Sequence, residues 1–395
     1  MSPNDNMKNS LFIVVFIFAT QFFFGQKAQE SPAYTPLIPT SKASLLKEVD
    51  VIFNTRLALD NYFTDGDFTK SQFSVNELRF EIKGKIHDKV YFRFRNRYSK
   101  IPEPATIDNV YRSVDLAHLI IDLNPKSKLT LGKMIGDWAG YELLLNPIEV
   151  LSFNTIIQKS DLFLVGAAYT YSAPELKSKF NLQLLNSRTK TFQEQYGTTI
   201  PPGVTETKTP LAAVTNWKGS LFDGKFETSY SYCYFIDAEN LGRNFISLGN
   251  KFKNKNFVLY YDFQYSTEDL DNKLVVSNII KSKQSYAAQD VCYVENWLRA
   301  EYKIKPNVNL LLTVMNHNSY WNGNPDPNKN DNLLTSYGII PTIEYTPFSD
   351  LNMKFYVGYI GNKYNYSSYA EATYGAVDYC TSRLSFGIIA PLLVL

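Results

Sequence analysis

Three arginines recur at every second position in the run D-K-V-Y-F-R-F-R-N-R-Y-S. Successive side chains of a β-strand point to opposite faces, so Arg93, Arg95 and Arg97 share one face of a predicted strand. Guanidinium groups bind planar carboxylates and phosphates well, and rings of basic side chains set anion preference in pores. The opposite face is mostly aromatic. That face is the core in a soluble sheet, whereas in a membrane-spanning barrel it contacts lipid and the arginines face water.

Other predicted strands also carry charges on their polar faces. With each polar face taken as inward, the set comprises Arg56, Asp60, Glu77, Arg79, Glu81, Lys83, Arg93, Arg95, Arg97, Arg243, Lys251, Glu295, Arg299, Glu301, Lys354 and Arg383. Unpaired charges are too costly in a dry core, so this number of inward charges favours a water-filled interior. The candidate pore-lining, anion-contacting residues are Arg56, Arg79, Lys83, Arg93, Arg95, Arg97, Lys133, Arg299 and Arg383.

The hairpin of the second and third strands is predicted to turn around His87. Symmetric pairing about this residue predicts three cross-strand pairs, which are Arg93 with Glu81, Arg97 with Glu77, and Arg95 with Arg79. Opposite charges on facing strands neutralise each other. Arg95 and Arg79 then form the pair without a facing carboxylate, where we expect the anion-attracting charge. Two interpretations stay open: the charges only order the wall, or they form an anion path.

Residues 135–160 follow the fifth predicted strand and are unusually apolar for a surface loop. A loop that buries Trp138, Tyr141, Leu143–Leu145 and Ile148 is expected to fold back into the barrel and narrow it. Its candidate site residues are Trp138, Tyr141, Glu142 and Asn146. The alternatives are a partly helical lid or a misread pair of strands.

No pattern of catalytic or metal-binding residues is found. The three cysteines and three histidines are scattered, without metal-ligand spacing, and no G-x-S-x-G elbow is present. The sequence therefore predicts no enzyme activity, no catalytic residue, no metal and no cofactor. Lys and Arg number 40 against 38 Asp and Glu, which gives no argument for nucleic acid binding.

The chain is expected to contain three regions. A basic start at Met7-Lys8-Asn9 precedes the apolar run at residues 11–24, which is typical of a secretory signal peptide and short for a membrane helix. Residues 1–25 are the predicted signal peptide, 26–47 a flexible periplasmic lead-in, and 48–395 the barrel. A buried core helix is the alternative for the apolar run.

From residue 48 onward, about sixteen segments of alternating polarity are predicted, the first at 48–62 and the last at 376–389. The connections between them alternate between short and mostly long. Outer-membrane barrels show this alternation, and an even strand count places both termini in the periplasm. The prediction is an all-β, antiparallel transmembrane barrel. Pro341 is expected to need a bulge or an edge, and Pro391 to interrupt the final strand.

Two segments carry a family resemblance. F-R-F-R-N-R-Y and L-T-L-G-K-M…G-D-W-A-G-Y-E-L-L-L-N-P-I-E-V resemble the phosphate-selective porin O and P family, most of all its Bacteroidetes members. The motif positions are Lys133, Gly140, Glu142, Asn146 and Pro147. The resemblance implies a sixteen-stranded, trimeric outer-membrane channel with a basic constriction. Two departures are acidic partners among the basic residues and a final Leu395 in place of the usual aromatic, for which Phe386 could stand in.

The expected function is passive diffusion of small hydrophilic solutes, with a bias toward anions, through a homotrimeric porin in the outer membrane lipid bilayer. The alternative is a plugged barrel whose loops at 188–208 and 322–332 bind a partner or a glycan. A third possibility is a soluble secreted β-protein.

Overall fold

The computed structural model describes residues 48–100 and 107–394, which form a closed barrel of sixteen antiparallel strands in sequential order, with β16 beside β1. The strands are β1 Val49–Thr64, β2 Asp67–His87, β3 Val90–Arg97, β4 Val114–Asn124, β5 Ser127–Ile135, β6 Phe163–Ala173, β7 Ser178–Asn186, β8 Leu211–Leu221, β9 Phe226–Ala238, β10 Leu241–Lys253, β11 Phe257–Leu270, β12 Gln289–Lys305, β13 Val308–Trp321, β14 Asn332–Tyr345, β15 Lys354–Tyr366 and β16 Tyr379–Leu393. The prediction of an all-β, sixteen-stranded barrel is confirmed.

Short helices occupy some of the connections. They are α1 Tyr141–Leu144, α2 Thr155–Lys159, α3 Phe192–Tyr196, α4 Val275–Ile280 and α5 Ser368–Tyr374, with 3-10 turns at Pro147–Glu149, Pro174–Leu176, Gly197–Thr199 and Phe222–Gly224. Within residues 48–100 and 107–394, none of the helices has the length and apolar character needed to cross a membrane. The predicted signal peptide and lead-in lie outside the described residues.

Side chains alternate between the two faces of the barrel wall. On β9, Tyr232 and Tyr234 are exposed on the outer surface, whereas Ser231 and Cys233 are buried inside. Period-two polarity places an apolar surface outside and polar groups inside, which is the pattern of a membrane-spanning barrel. The sequence therefore determines the face of each side chain before any pairing is known.

The two ends of the barrel differ in their connections. At one end of the barrel, here called the turn end, seven mostly tight connections join β2 to β3, β4 to β5 and so on up to β14 to β15. The opposite end, the loop end, carries the described parts of the long segments, at 98–100, 107–113, 136–162, 187–210, 271–288, 322–331 and 367–378. Two loop-end connections are only tight turns, at Asp65–Gly66 and Glu239–Asn240. Asp65 and Gly66 both have positive φ, as the favoured two-residue hairpin turn requires.

Both prolines are accommodated differently from the sequence prediction. Pro341 lies inside β14, between β13 and β15, and the register with β15 is the same on both sides of it, so neither a bulge nor an edge is present there. Pro391 pairs with Asn54 of β1, and β16 continues to Leu393. The prediction of an interruption was wrong because β15 begins at Lys354, opposite Ile389, and Pro391 needs no partner on that side.

Candidate functional site

Residues 136–162, here called the inner segment, fold into the barrel. Trp138 packs edge-on against Phe245 of β10 at 4.6 Å between ring centroids, and its carbonyl accepts a hydrogen bond from Ser231 Oγ of β9 at 2.8 Å. Further contacts reach inward-facing residues of β1, β11, β12, β15 and β16. The segment therefore crosses the lumen and packs mainly against the wall from β9 round to β1.

Helix α1 of the inner segment is held by one carboxylate. Asp262 of β11, fully buried, accepts hydrogen bonds from the backbone N–H groups of Tyr141 at 2.9 Å and Glu142 at 2.7 Å. A Cβ atom on Gly140 would lie 2.2 Å from an oxygen of the same carboxylate. Gly140 is therefore a packing requirement, and the carboxylate accepts from the unpaired N–H groups at the helix start.

Helix α2 is held by two further carboxylates. Glu142 accepts the N–H of Asn154 at 2.6 Å, and Glu295 of β12 accepts the N–H of Ile156 at 2.7 Å. Glu295 also contacts His317 Nδ1 at 2.7 Å, and His317 Nε2 lies 2.7 Å from Ser319 Oγ. This serine–histidine–glutamate array was missed from the sequence. All three side chains are fully buried, so Ser319 cannot meet a substrate and the array serves as an anchor.

Three arginines predicted to contact anions instead bind backbone carbonyls of the inner segment. Arg56 donates to the carbonyls of Ile148 at 3.1 Å and Val150 at 2.6 Å. Arg299 donates to the carbonyl of Glu149 at 3.0 Å, and Arg383 to that of Leu151 at 2.8 Å. These guanidinium groups fasten the segment to β1, β12 and β16, which leaves each with fewer donors for a solute.

The predicted apolar residues of the segment divide into two groups. Trp138, Tyr141, Leu143 and Ile148 are buried. Leu144 is 40% exposed and Leu145 is half-buried, so the expectation of burial was wrong for Leu144. Leu144 lines the open space between the segment and the facing wall. Asn146 donates to Asn54 of β1 at 3.3 Å and accepts from the N–H of Ile148.

A cavity of about 1140 Å³ lies between the inner segment and the wall formed by β1–β8. Its lining extends from Asp50 and Leu393 at the turn end to Lys100 and Thr189 at the loop end. Its basic lining residues are Arg79, Lys83, Arg93, Arg95, Arg97, Lys100, Arg112, Lys133, Lys159 and Lys218, and its acidic ones are Asp50, Glu77, Glu81, Asp137 and Asp161. Among the described residues, basic side chains are thus twice as numerous as acidic ones along this passage.

The predicted register of the arginine strand was wrong by two residues. The observed pairs are Arg97 with Arg79, Arg95 with Glu81, and Arg93 with Lys83. The hairpin turns at Asp88–Lys89, not around His87, and a bulge lies between Lys85 and His87. Arg95 therefore does face a carboxylate, which contradicts its prediction as the uncompensated position.

Asp115 of β4 binds three of the arginines and was missed by sequence reasoning. Its carboxylate lies 3.0 Å from Arg79, 3.4 Å from Arg95 and 3.3 Å from Arg97, and it is fully buried. Arg79 also pairs with Glu77 at 2.9 Å. Arg79 is thus buried between two carboxylates, so the prediction of an unpaired anion-attracting charge there was wrong. Asp115 lies on the inward face of β4, where the alternation could have revealed it.

The remaining predicted basic residues differ in their access to the cavity. The Arg93 guanidinium forms the expected ion pair with Glu81 at 2.8 Å, although the residue directly opposite Arg93 on β2 is Lys83. The Arg93 side chain is 37% exposed. Lys83 pairs with Asp50 at 3.3 Å and is partly exposed. Lys133 is almost fully buried and paired with Asp108 at 2.9 Å. Of these three, Arg93 and Lys83 present their charge to water.

The geometry matches known outer-membrane channels. A sequence model of phosphate-selective porin O and P matches residues 54–388, which confirms the resemblance seen in the sequence. No curated protein sequence matches the chain significantly.

Solved structures share the fold at low sequence identity. The outer membrane protein OmpT of Vibrio cholerae superposes with a TM-score of 0.54 at 9% identity, over 87% of this chain and 97% of that one. The outer membrane channel DcaP of Acinetobacter baumannii gives 0.53 at 13% identity, over 86% and 98%. Salmonella typhi OmpF gives 0.53 at 11% identity, over 86% and 97%. The fold agrees with these structures and the family match spans most of the chain, which therefore belongs to the phosphate-selective porin O and P family.

Proposed function

We propose that the chain is an outer-membrane porin through which small hydrophilic solutes diffuse passively, with a bias toward anions. Family membership and fold support an outer-membrane channel rather than an enzyme. The observation that carries the anion bias is the excess of basic over acidic side chains along the passage. A low-dielectric wall concentrates such a field and raises the local concentration of the opposite charge.

The bias is assigned to basic residues with free access to the passage. Three of the basic residues are buried and paired with carboxylates, namely Arg79, Arg95 and Lys133. They add to the electrostatic potential of the wall without direct contact to a solute. Arg93, which is partly exposed, and Lys159, which is exposed on α2 of the inner segment, both line the cavity. A solute that moves between the segment and β3 passes both.

Oligomeric state and orientation form part of the proposal. The comparison structures include a trimer form of Vibrio cholerae OmpT, which supports a homotrimer for this chain. Both β1 and β16 reach the turn end of the barrel. With the turn end in the periplasm, the long loops face the outside, as in other outer-membrane barrels.

Reversal potentials in planar bilayers under a KCl gradient test the proposal. A unit charge about 7 Å from the ion path changes the energy of a monovalent ion by about 0.6 kcal/mol in water, and by roughly 0.25 kcal/mol after screening at physiological ionic strength. Because an anion and a cation shift in opposite directions, each charge removed should lower the anion-to-cation permeability ratio about twofold. We expect this for Arg93→Gln and for Lys159→Gln. The matched control is Lys177→Gln, which removes an exposed charge at the turn end. Cation preference in the wild type, or equal ratios in all variants, refutes the anion bias.

The plugged-barrel alternative is distinguished by the same measurement. The inner segment packs mainly against the wall from β9 round to β1, and a void of about 10 Å³ lies between its residues 149–152 and β12–β14. That side of the lumen is closed. The open side is the cavity along β1–β8, and absence of any conductance in the bilayer would favour a plugged barrel.

A further inference from the structure

A second cavity, here called the side pocket, lies at the loop end between β1, β2, β15, β16 and the inner segment. Its volume is about 450 Å³, within the range of sites that bind small molecules. It shares Glu77, Phe153 and Gln158 with the main passage, so these residues form a partition between the two.

The side pocket is closed at its base. Val150 and Leu151 lie at that end, where Arg56 and Arg383 bind their carbonyls at 2.6 Å and 2.8 Å and seal the inner segment to the wall. Beyond this seal the void is about 10 Å³, which is room for a single water molecule. A solute in the side pocket is therefore not on a path through the barrel, and it can leave only to the loop end or across the partition.

The charges of the side pocket are suited to an anion. Arg56, Lys70 and Arg383 line it, and Glu77 is the one acidic side chain among the described residues that line it. The acidic groups nearby are already engaged. Glu77 pairs with Arg79 at 2.9 Å, and fully buried Asp60 accepts from Ser385 at 2.6 Å and lies 3.7 Å from Arg383. The lining thus carries more basic than acidic charge, which favours an anionic, acceptor-rich ligand.

The remaining lining is suited to a hydroxylated ring. Tyr62 lies at the mouth, with Lys70 Nζ 4.9 Å and Arg383 Cζ 6.0 Å from its ring centroid. Asn362, Thr381 and Gln158 add amide and hydroxyl groups. An aromatic face with polar groups around it offers stacking and hydrogen bonds to a sugar ring, and the basic side chains offer charge-assisted hydrogen bonds to an acidic group.

We propose that the side pocket is a binding site for a sugar-sized anion, a pyranose that bears a carboxylate or a phosphate. The site holds such a solute at the outer mouth, beside the partition that leads to the main passage. The site does not include the arginines of β2 and β3 that line the main passage. A binding measurement detects its occupancy whether or not the barrel conducts.

Isothermal titration of the full-length protein in detergent micelles tests the proposal, with glucuronate and glucose 6-phosphate as probes and glucose as the neutral comparison. Thr381→Trp fills the pocket from the inward face of β16, and the matched control Leu384→Trp places the same bulk on the outward face. We expect binding of at least one anionic probe, weakened about tenfold by Thr381→Trp and unchanged by Leu384→Trp. Lys70→Ala, at the exposed end of β2, should weaken it about threefold.

Three results overturn the proposal: no binding of either anionic probe, equal affinity for glucose, or equal affinity in the Thr381→Trp and Leu384→Trp variants. Bilayer conductance of the same variants separates this inference from the channel proposal. Neither Thr381 nor Leu384 lines the main passage, so both variants should conduct like the wild type. A wild type that conducts selectively but binds no probe refutes the side pocket alone, and a wild type that binds but does not conduct refutes the channel proposal alone.

Discussion

Replacement of Asp262 by Asn tests how the inner segment is held across the lumen. The carboxylate accepts two backbone N–H groups, from Tyr141 at 2.9 Å and Glu142 at 2.7 Å. Hydrogen bonds to a charged group contribute about 1.5–3 kcal/mol each and neutral ones about 1 kcal/mol. The side-chain amide of Asn keeps one acceptor oxygen for one of these N–H groups. Its NH₂ group would face the other N–H, so two donors would meet and no hydrogen bond would form there. Attachment of α1 to the wall should therefore weaken by roughly 2–5 kcal/mol.

This loss converts into a measurable change in conduction. A change of about 2 kcal/mol raises the population of the displaced segment about 30-fold, since 1.4 kcal/mol is a factor of ten. Because the inner segment narrows the lumen, Asp262→Asn should show larger and noisier single-channel currents in planar bilayers. The barrel itself should remain folded, which is checked by its heat-dependent migration on a gel.

The control for this variant is Asp122→Asn, which removes an exposed carboxylate paired with Lys128 at 2.9 Å near the turn end. It alters the same chemical group without touching the inner segment and should conduct like the wild type. Identical conductance and noise in Asp262→Asn and in the control would refute the reasoning that this carboxylate holds the segment.

Three further predictions concern the inner segment and the charged residues that surround the main passage. Gly140→Ala should also raise current noise, because the added Cβ would lie 2.2 Å from an oxygen of the Asp262 carboxylate. Currents of the Gly140→Ala variant that are as quiet as those of the wild type would contradict this packing argument. Asp115→Asn should lower the yield of folded barrel, since breaking a buried ion pair costs about 3–5 kcal/mol, and should raise the anion-to-cation permeability ratio of the protein that does fold. Burial, with Arg97 and Arg112 nearby, lowers the pKa of Lys100 to about 8, so this side chain is charged below that pH and neutral above it. Anion preference should therefore fall between pH 7 and pH 9 in reversal-potential measurements, and Lys100→Gln should remove that dependence; a wild type with the same preference at both pH values would contradict it.

The sequence by itself determined the barrel and its two faces. Period-two polarity, sixteen segments and the alternation of short and mostly long connections are local properties of the chain, and the structure confirmed the fold that they predict. The family resemblance depended on two short segments and was also confirmed. The inward direction of Arg93, Arg95 and Arg97 followed from alternation alone.

Only the tertiary structure decided which charges meet. A register shift of two residues leaves every side chain on the same face, so the polarity pattern cannot detect it, yet it changes every cross-strand pair. The carboxylate that forms ion pairs with Arg79, Arg95 and Arg97 is that of Asp115 on β4, a strand outside the β2–β3 hairpin. Likewise, Asp262 and Arg56 bind the inner segment from strands that are far from it in sequence. Strand pairing brings Asp115 to the arginines, and the fold of the inner segment into the barrel brings it to Asp262 and Arg56. Local patterns along the chain do not encode these contacts.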